Sequence, residues 1–327
     1  GSAKAHFYSL DLAKDKADWQ ALPDFPGGER GQPVVASVGG KLFVFGGLQK
    51  NADGVLQIIN DVHVYDPESK TWKKCKTRAP FSMVGTSAFV RHGKIYFVGG
   101  VNLEIFNGYF QDYTAAGDDQ AKKDAVMAAY FDKPAKDYFF NQYLFSYEPK
   151  THQWQNEGLM PFAGRAGAAV SLFNDRVIVA NGEIKPGLRT DAVESGEFKE
   201  DSVKWVSLPA LIPNEGEQQQ EGVAGAYVGT SDGHYLLAGG ANFPGAKKQY
   251  AGGMKFAHKG LKKAYHDSVF TFENGNWKVA GKLPKPAAYG TTLNYKGKML
   301  VIGGKNNDGA MKTVYTLKYD SDALKVD

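Results

Sequence analysis

Thr86-Ser87-Ala88-Phe89-Val90-Arg91-His92-Gly93-Lys94-Ile95-Tyr96-Phe97-Val98-Gly99-Gly100 is the stretch that decides how this chain folds. A short strand turns through Arg91-His92-Gly93-Lys94, where glycine can supply the positive φ of a tight hairpin. It passes into an apolar run without alternation, which reads as a strand covered on both faces. The diglycine at its end lets the backbone bend where a side chain would strike the next layer. The pattern returns at Leu42-Phe43-Val44-Phe45-Gly46-Gly47, Val177-Ile178-Val179-Ala180-Asn181-Gly182, Tyr235-Leu236-Leu237-Ala238-Gly239-Gly240 and Met299-Leu300-Val301-Ile302-Gly303-Gly304. A second apolar strand follows each, such as Val62-His63-Val64-Tyr65 or Val269-Phe270-Thr271-Phe272, and then usually a tryptophan. Trp19, Trp72, Trp154, Trp205 and Trp277 all suit that outer position.

Repetition at about 50 residues plus insertions is the mark of kelch repeats, and so of an all-β propeller in one domain spanning 1–327. A lone four-stranded blade cannot bury both faces, so the units stack as a ring. The tryptophan fills the widening gap between blades. Five apolar runs plus a headless first unit around Trp19 predict six blades, the missing inner strands lying upstream of Gly1. The alternative is a five-bladed ring whose last blade is completed by the N-terminal strands. Val314-Tyr315-Thr316-Leu317 and Ala323-Leu324-Lys325-Val326 read as outer strands of the last unit.

The 327 residues, 43% hydrophobic and 13% aromatic, suffice for one large closed β domain. Thirty-nine basic against 35 acidic residues leave a net +4, too balanced to imply nucleic acid. No apolar stretch reaches the length of a membrane span. Cys75 is the only cysteine, which excludes an intrachain disulfide. The seven histidines show no ligand spacing with cysteines or carboxylates, so no metal site is expected.

The loops joining the second and third strands of each unit hold nearly all the excess length, at 48–60, 101–142, 183–190 and 241–266. Structure invested on one rim is what a binding site on a rigid scaffold needs. The 101–142 insert has helix-compatible composition over Gln120–Phe131, and its aromatics suggest a small core of its own. Arginines are few. Arg30, Arg78 and Arg165 fall between units and Arg189 near a long-loop rim, whereas Arg91 and Arg176 fall on the opposite face. Arginine is the planar, two-pronged partner for carboxylates, which points this rim toward anions. In Asn181-Gly182-Glu183-Ile184-Lys185-Pro186-Gly187-Leu188-Arg189-Thr190-Asp191 the usual diglycine is replaced and a glutamate follows. Pro186-Gly187 favours a tight turn that folds Arg189 back toward Glu183 near the channel mouth. A carboxylate there could serve as a general base or simply form a loop ion pair.

Phe25-Pro26-Gly27-Gly28-Glu29-Arg30, Ile105-Phe106-Asn107-Gly108-Tyr109-Phe110, Tyr130-Phe131-Asp132-Lys133, Asp137-Tyr138-Phe139-Phe140-Asn141, Gly182-Glu183 through Asp191-Ala192-Val193, and Ala257-His258-Lys259-Gly260-Leu261-Lys262-Lys263 together resemble one family. It is the bacterial N-acetylneuraminate epimerases, or sialic acid mutarotases, six-bladed kelch propellers usually exported to the periplasm. The resemblance runs from the first residues to the last blade. It implies a cofactor-independent isomerase acting on free sialic acid, with Glu183 and Arg189 as the catalytic pair. Arg189 would hold the substrate carboxylate or stabilise the developing oxyanion. Arg30, Arg165, Asn107, Tyr109, Asn181, Lys185 and His258 join as candidate substrate contacts. The rival reading is a non-enzymatic interaction module on the same rim. A copper radical oxidase is discounted because Cys75 falls on an outer strand, and a sialidase because Asp-box repeats are missing.

Overall fold

The chain, described over residues 3–14, 16–200 and 202–327 of a computed structural model, is built almost wholly of antiparallel strands. A two-stranded sheet, β1 (Phe7–Ser9) with β2 (Gln20–Leu22), precedes five four-stranded sheets in sequential strand order. The first blade holds β3 (Val34–Val38), β4 (Lys41–Lys50), β5 (Leu56–Asp66) and β6 (Thr71–Arg78). The second holds β7 (Thr86–Arg91), β8 (Lys94–Gly99), β9 (Tyr143–Glu148) and β10 (Gln153–Leu159). In the third, β11 (Ala169–Phe173) and β12 (Arg176–Ala180) lead through a small arm, β13 (Glu183–Lys185) and β14 (Leu188–Arg189), to β15 (Val193–Phe198) and β16 (Val203–Leu208). The fourth is alike: β17 (Tyr227–Ser231), β18 (His234–Ala238), the arm β19 (Ala241–Asn242) and β20 (Ala264–Tyr265), then β21 (Ser268–Glu273) and β22 (Asn276–Lys282). The fifth runs β23 (Thr291–Tyr295), β24 (Lys298–Ile302), the arm β25 (Lys305–Asn306) and β26 (Gly309–Ala310), β27 (Val314–Tyr319) and β28 (Leu324–Val326).

The cores lie between blades. Phe43, Phe45 and Val62 of the first pack on Ile95, Phe97 and Tyr147 of the second. Val98 meets Val170, Val177 and Val179, then Ile178 meets Tyr235, Leu237 and Phe270, and Leu236 meets Met299, Val301 and Leu317. This is why the second strand of each blade carries no polar alternation. Three tryptophans tie a blade to what precedes it. The Trp72, Trp154 and Trp277 indoles donate to Pro23 O, Thr77 Oγ1 and Pro209 O at 2.9, 3.1 and 2.9 Å.

The expected count of six is corrected to five four-stranded blades among the described residues. The unit around Trp19 owns no apolar run, so only the short pair β1–β2 forms, and Trp19 itself is 58% exposed. That pair reaches both flanks: Phe7 packs on Tyr65 and Trp72 of the first blade, while Tyr295 of the fifth donates to Leu12 O at 3.3 Å. The alternative's count of five holds but its closure does not, since β27 and β28, and not the N-terminal strands, complete the last blade. Strands upstream of Gly1 would lie outside the described residues.

The insert between β8 and β9 carries two helices, α1 (Leu103–Ala115) and α2 (Gln120–Phe131), where only the second was expected. Asn102 caps α1, its Oδ1 accepting from Ile105 N–H at 3.0 Å, and Asp119 caps α2 in the same way at Lys122. Such a cap satisfies an amide the first turn leaves without a partner. Tyr130, Tyr138 and Phe140 form the insert's own core, with Ile105, Tyr109 and Phe131 packed against it.

Candidate active site

Beyond the diglycine, the middle hairpin of every blade except the second continues as a short two-stranded arm. The residue after the diglycine is Leu48, Val101, Glu183, Ala241 or Lys305. Each is hydrogen-bonded to the segment that enters its blade, at Gly31, Val84, Ala166, Ala224 and Ala288. The next residue on those segments is Gln32, Gly85, Gly167, Gly225 or Tyr289. Three amides link neighbouring blades there: Gly167 N–H to Gly85 O, Gly225 to Gly167 and Tyr289 to Gly225, at 2.7, 2.8 and 2.8 Å. Of these two tiers, Val101, Glu183 and Lys305 from the first and Gln32, Gly85, Gly167 and Tyr289 from the second wall a cavity of about 730 Å³, lined further by Phe106 and Phe131 from the helical insert and Phe243 and His258 from the fourth blade. Of the five post-diglycine positions, only Glu183 and Lys305 carry charge.

Glu183 and Arg189 are cross-strand partners on the β13–β14 arm. Arg189 Nη1 lies 3.1 Å from Glu183 Oε1, and the same oxygen accepts from Gly187 N–H at 2.7 Å. The turn between them folds as the Pro186-Gly187 pair suggests. Gly187 takes φ +84°, and a Cβ there would stand 1.7 Å from His258 Nδ1, so only glycine lets the imidazole close over the arm. Arg189 is buried with its guanidinium 4.9 Å from the Phe243 ring centroid, and neither its Nε nor its Nη1 makes a hydrogen bond within the protein. Glu183 stays 24% exposed, toward the cavity it lines.

The remaining wall is aromatic and cationic. His258 sits among Phe131, Phe243 and Phe256. Burial pushes its imidazole below the ordinary range against the pull of Glu183, so it is uncharged at neutral pH. Burial, helped by Arg189, likewise lowers the Lys263 ammonium. Tyr289 is surrounded by protein yet open to the cavity, and burial raises its phenol so that the hydroxyl keeps its proton.

A family model described as N-acetylneuraminate epimerase matches residues 1–326. The chain belongs to the N-acetylneuraminate epimerase family. It is 51% identical to the N-acetylneuraminate epimerase of Haemophilus influenzae strain PittEE, over all of this chain and 87% of that protein. The namesake from Pasteurella multocida is 46% identical over the same shares, and that from Escherichia coli K12 is 45% identical over 96% of this chain and 83% of its own. The solved structure of YjhT superposes with a TM-score of 0.95 at 42% identity, covering all of this chain and 92% of that one.

Within this epimerase-family cavity the expected set divides. Glu183, Arg189 and His258 line it together; six other candidates do not. Arg30 is buried against Asp61 (2.7 Å), with Gly27 O and Gly46 O as further acceptors. Arg165 is buried against Glu194 (3.1 Å) and also donates to Ala192 O. Both stand where Met83, Val223 and Ala287 stand in the other blades, inside the sheet packing rather than on its rim. Asn107 Oδ1 accepts from Ile58 N–H at 2.8 Å, docking α1 on β5. Tyr109 stacks on Tyr130 at 4.2 Å beside a separate cleft between the helices. Asn181, fully buried at φ +56°, donates to Asp191 O and accepts from Val223 N–H. Lys185, also fully buried, donates to Phe131 O (3.0 Å), Lys133 O (2.7 Å) and Lys255 O, clamping the arm to the insert and to the fourth-blade loop.

Lys263, Tyr289 and Lys305 were not singled out in the sequence. Two had a signal there. Tyr289 replaces the glycine found at 85, 167 and 225, and Lys305 follows its diglycine as Glu183 follows Asn181-Gly182. Lys263 had none beyond its motif.

Proposed function

We propose that this protein interconverts the α and β anomers of free N-acetylneuraminate in the cavity lined by Glu183 and Arg189. The observation that carries the reading is the ion pair itself, held on one short arm and facing the cavity in an epimerase-family chain. The sugar is a 2-keto acid closed into a hemiketal. Glu183 takes the proton of the anomeric hydroxyl, and the bond from C2 to the ring oxygen breaks with its electron pair on that oxygen. Both oxygens hang on the same carbon, so one carboxyl group can take the first proton and return it to the ring oxygen. Rotation of the open keto acid presents the other face of C2, and the steps reverse. No electrons are exchanged and no cofactor is required.

Arg189 supports the negative charge that develops on oxygen during opening and closing, a role favoured by its buried, rigidly held guanidinium. His258 is a neutral hydrogen-bonding wall against the sugar, and the Tyr289 hydroxyl is a donor. Arg30 and Arg165 hold blades in place rather than substrate. Following anomeric NMR signals of freshly released N-acetylneuraminate with and without protein tests the reading; an uncatalysed exchange rate in the presence of folded protein overturns it. We propose a periplasmic site of action on the family resemblance, testable by fractionating cells that express the gene in full. Among the described residues no helix is long and apolar enough to cross a membrane.

A further inference from the structure

Three cations and one carboxylate line the cavity: Arg189, Lys263 and Lys305 beside Glu183. Arg189 and Glu183 face each other at 3.1 Å and offset one another, and His258 is uncharged. The surplus is positive and resides on the two lysines. Lys305 is exposed at the rim. Lys263 is partly buried, its Nζ 5.4 Å from the centroids of both Phe243 and Tyr289. Its neighbours in the fold have found partners. Lys247, from the same loop, pairs with Asp191 at 2.7 Å, and Lys185 donates to three carbonyls. Among the described residues Lys263 has no carboxylate within salt-bridge distance. An ammonium drawn out of water and left without an anion is costly to hold, and it favours whatever anion enters beside it.

We propose that Lys263 is the specificity-determining residue that reads the substrate's carboxylate, leaving Arg189 to Glu183 and the reacting oxygens. This rests on the epimerase reading for the identity of the ligand. In N-acetylneuraminate the carboxylate and the anomeric hydroxyl share one carbon, so the group reading the first must adjoin the group acting on the second. Lys263 meets that condition: its Nζ and the Arg189 guanidinium stand 5.4 and 4.9 Å from the centroid of the same Phe243 ring, and both line the cavity with Glu183. The two rings beside it favour the ammonium by cation–π attraction.

The test compares binding of N-acetylneuraminate and of its neutral carboxamide, by calorimetry, to wild type, Lys263→Met and Lys263→Arg. Methionine keeps an unbranched apolar stem and removes the ammonium that stands beside Phe243 and Tyr289. The acid should bind Lys263→Met more weakly by about tenfold or more, with the amide changed by less than about twofold. Lys263→Arg should recover most of the preference for the acid. Equal weakening of acid and amide would mark a packing role, and unchanged acid binding would mean another group reads the carboxylate; either result overturns the proposal. Acid binding that depends on Lys263 in a wild-type protein that exchanges no anomers would sink the epimerase reading and leave this one standing.

Discussion

Two buried arginines of the third blade pair with glutamates, each pair 3.1 Å long and each arginine side chain only 3% exposed. Arg165–Glu194 is closed off at its ends: both Nη atoms of Arg165 have acceptors, only its Nε lacks one, and Glu194 Oε2 accepts from the Ser207 hydroxyl at 2.8 Å. Arg189–Glu183 is left open, with donors of the guanidinium unused and the carboxylate facing a cavity. Burial and ion pairing alone therefore do not separate structure from chemistry. What differs is the outer end of each pair: where both Nη atoms and the second carboxylate oxygen are engaged and neither residue lines the cavity, little is left to offer a ligand.

The largest expected effect breaks the open pair at its carboxylate. Glu183→Gln should fold as wild type and lose roughly 10²–10⁴-fold in catalysed anomer exchange, the usual worth of a general base. Exchange at the wild-type rate, followed by NMR, would remove Glu183 from the mechanism. Breaking the closed pair should have the opposite signature. Arg165→Met leaves Glu194 charged and unpaired in the packing, so urea unfolding should register a loss of about 3–5 kcal/mol, with exchange per folded molecule retained. A stable Arg165→Met protein that no longer exchanges anomers would erase the distinction between the pairs.

Arg189→Lys keeps the charge and loses the planar fork. Exchange should slow by roughly 10- to 150-fold, equivalent to about 1.5–3 kcal/mol, while the urea midpoint scarcely moves. The smallest effect concerns Lys185, the clamp beneath the open pair. Burial pushes its ammonium down to about 8. The unfolded chain then binds more protons than the folded one between about pH 8 and the ordinary lysine range, so stability rises with pH across that window. Relative to Lys185→Met, wild type should gain as pH rises from 7 to 9, by less than about 1.4 kcal/mol per unit. A gap that stays flat over that range would show that the three carbonyls hold the proton on.

Much of this was legible because a propeller is a periodic object. The unalternating strands, the outer tryptophans and the hairpin turns depend on local pattern, and Pro186-Gly187 was enough to bring Arg189 back to Glu183. The miscount of blades came from treating Trp19 as the mark of a full unit when it is an exposed residue before a short strand. Five of the six candidates that left the site share one cause. Arg30, Arg165, Asn107, Asn181 and Lys185 are polar residues near a functional rim whose hydrogen bonds are spent on backbone or on a buried carboxylate. Spacing cannot distinguish a spent donor from a free one.

The sequence by itself determined the all-β propeller, the rim that carries the long loops, and the arm that joins Glu183 to Arg189, because each follows from contacts within one repeat. Only the tertiary structure decided which side chains share the cavity. Lys263 comes from the fourth blade and Tyr289 and Lys305 from the fifth, and they meet Glu183 of the third only when the blades are set side by side. The same holds for the five candidates whose polar groups are spent elsewhere. Their partners lie as far along the chain as Asp61 from Arg30 or Lys255 from Lys185, a separation that a local pattern does not encode.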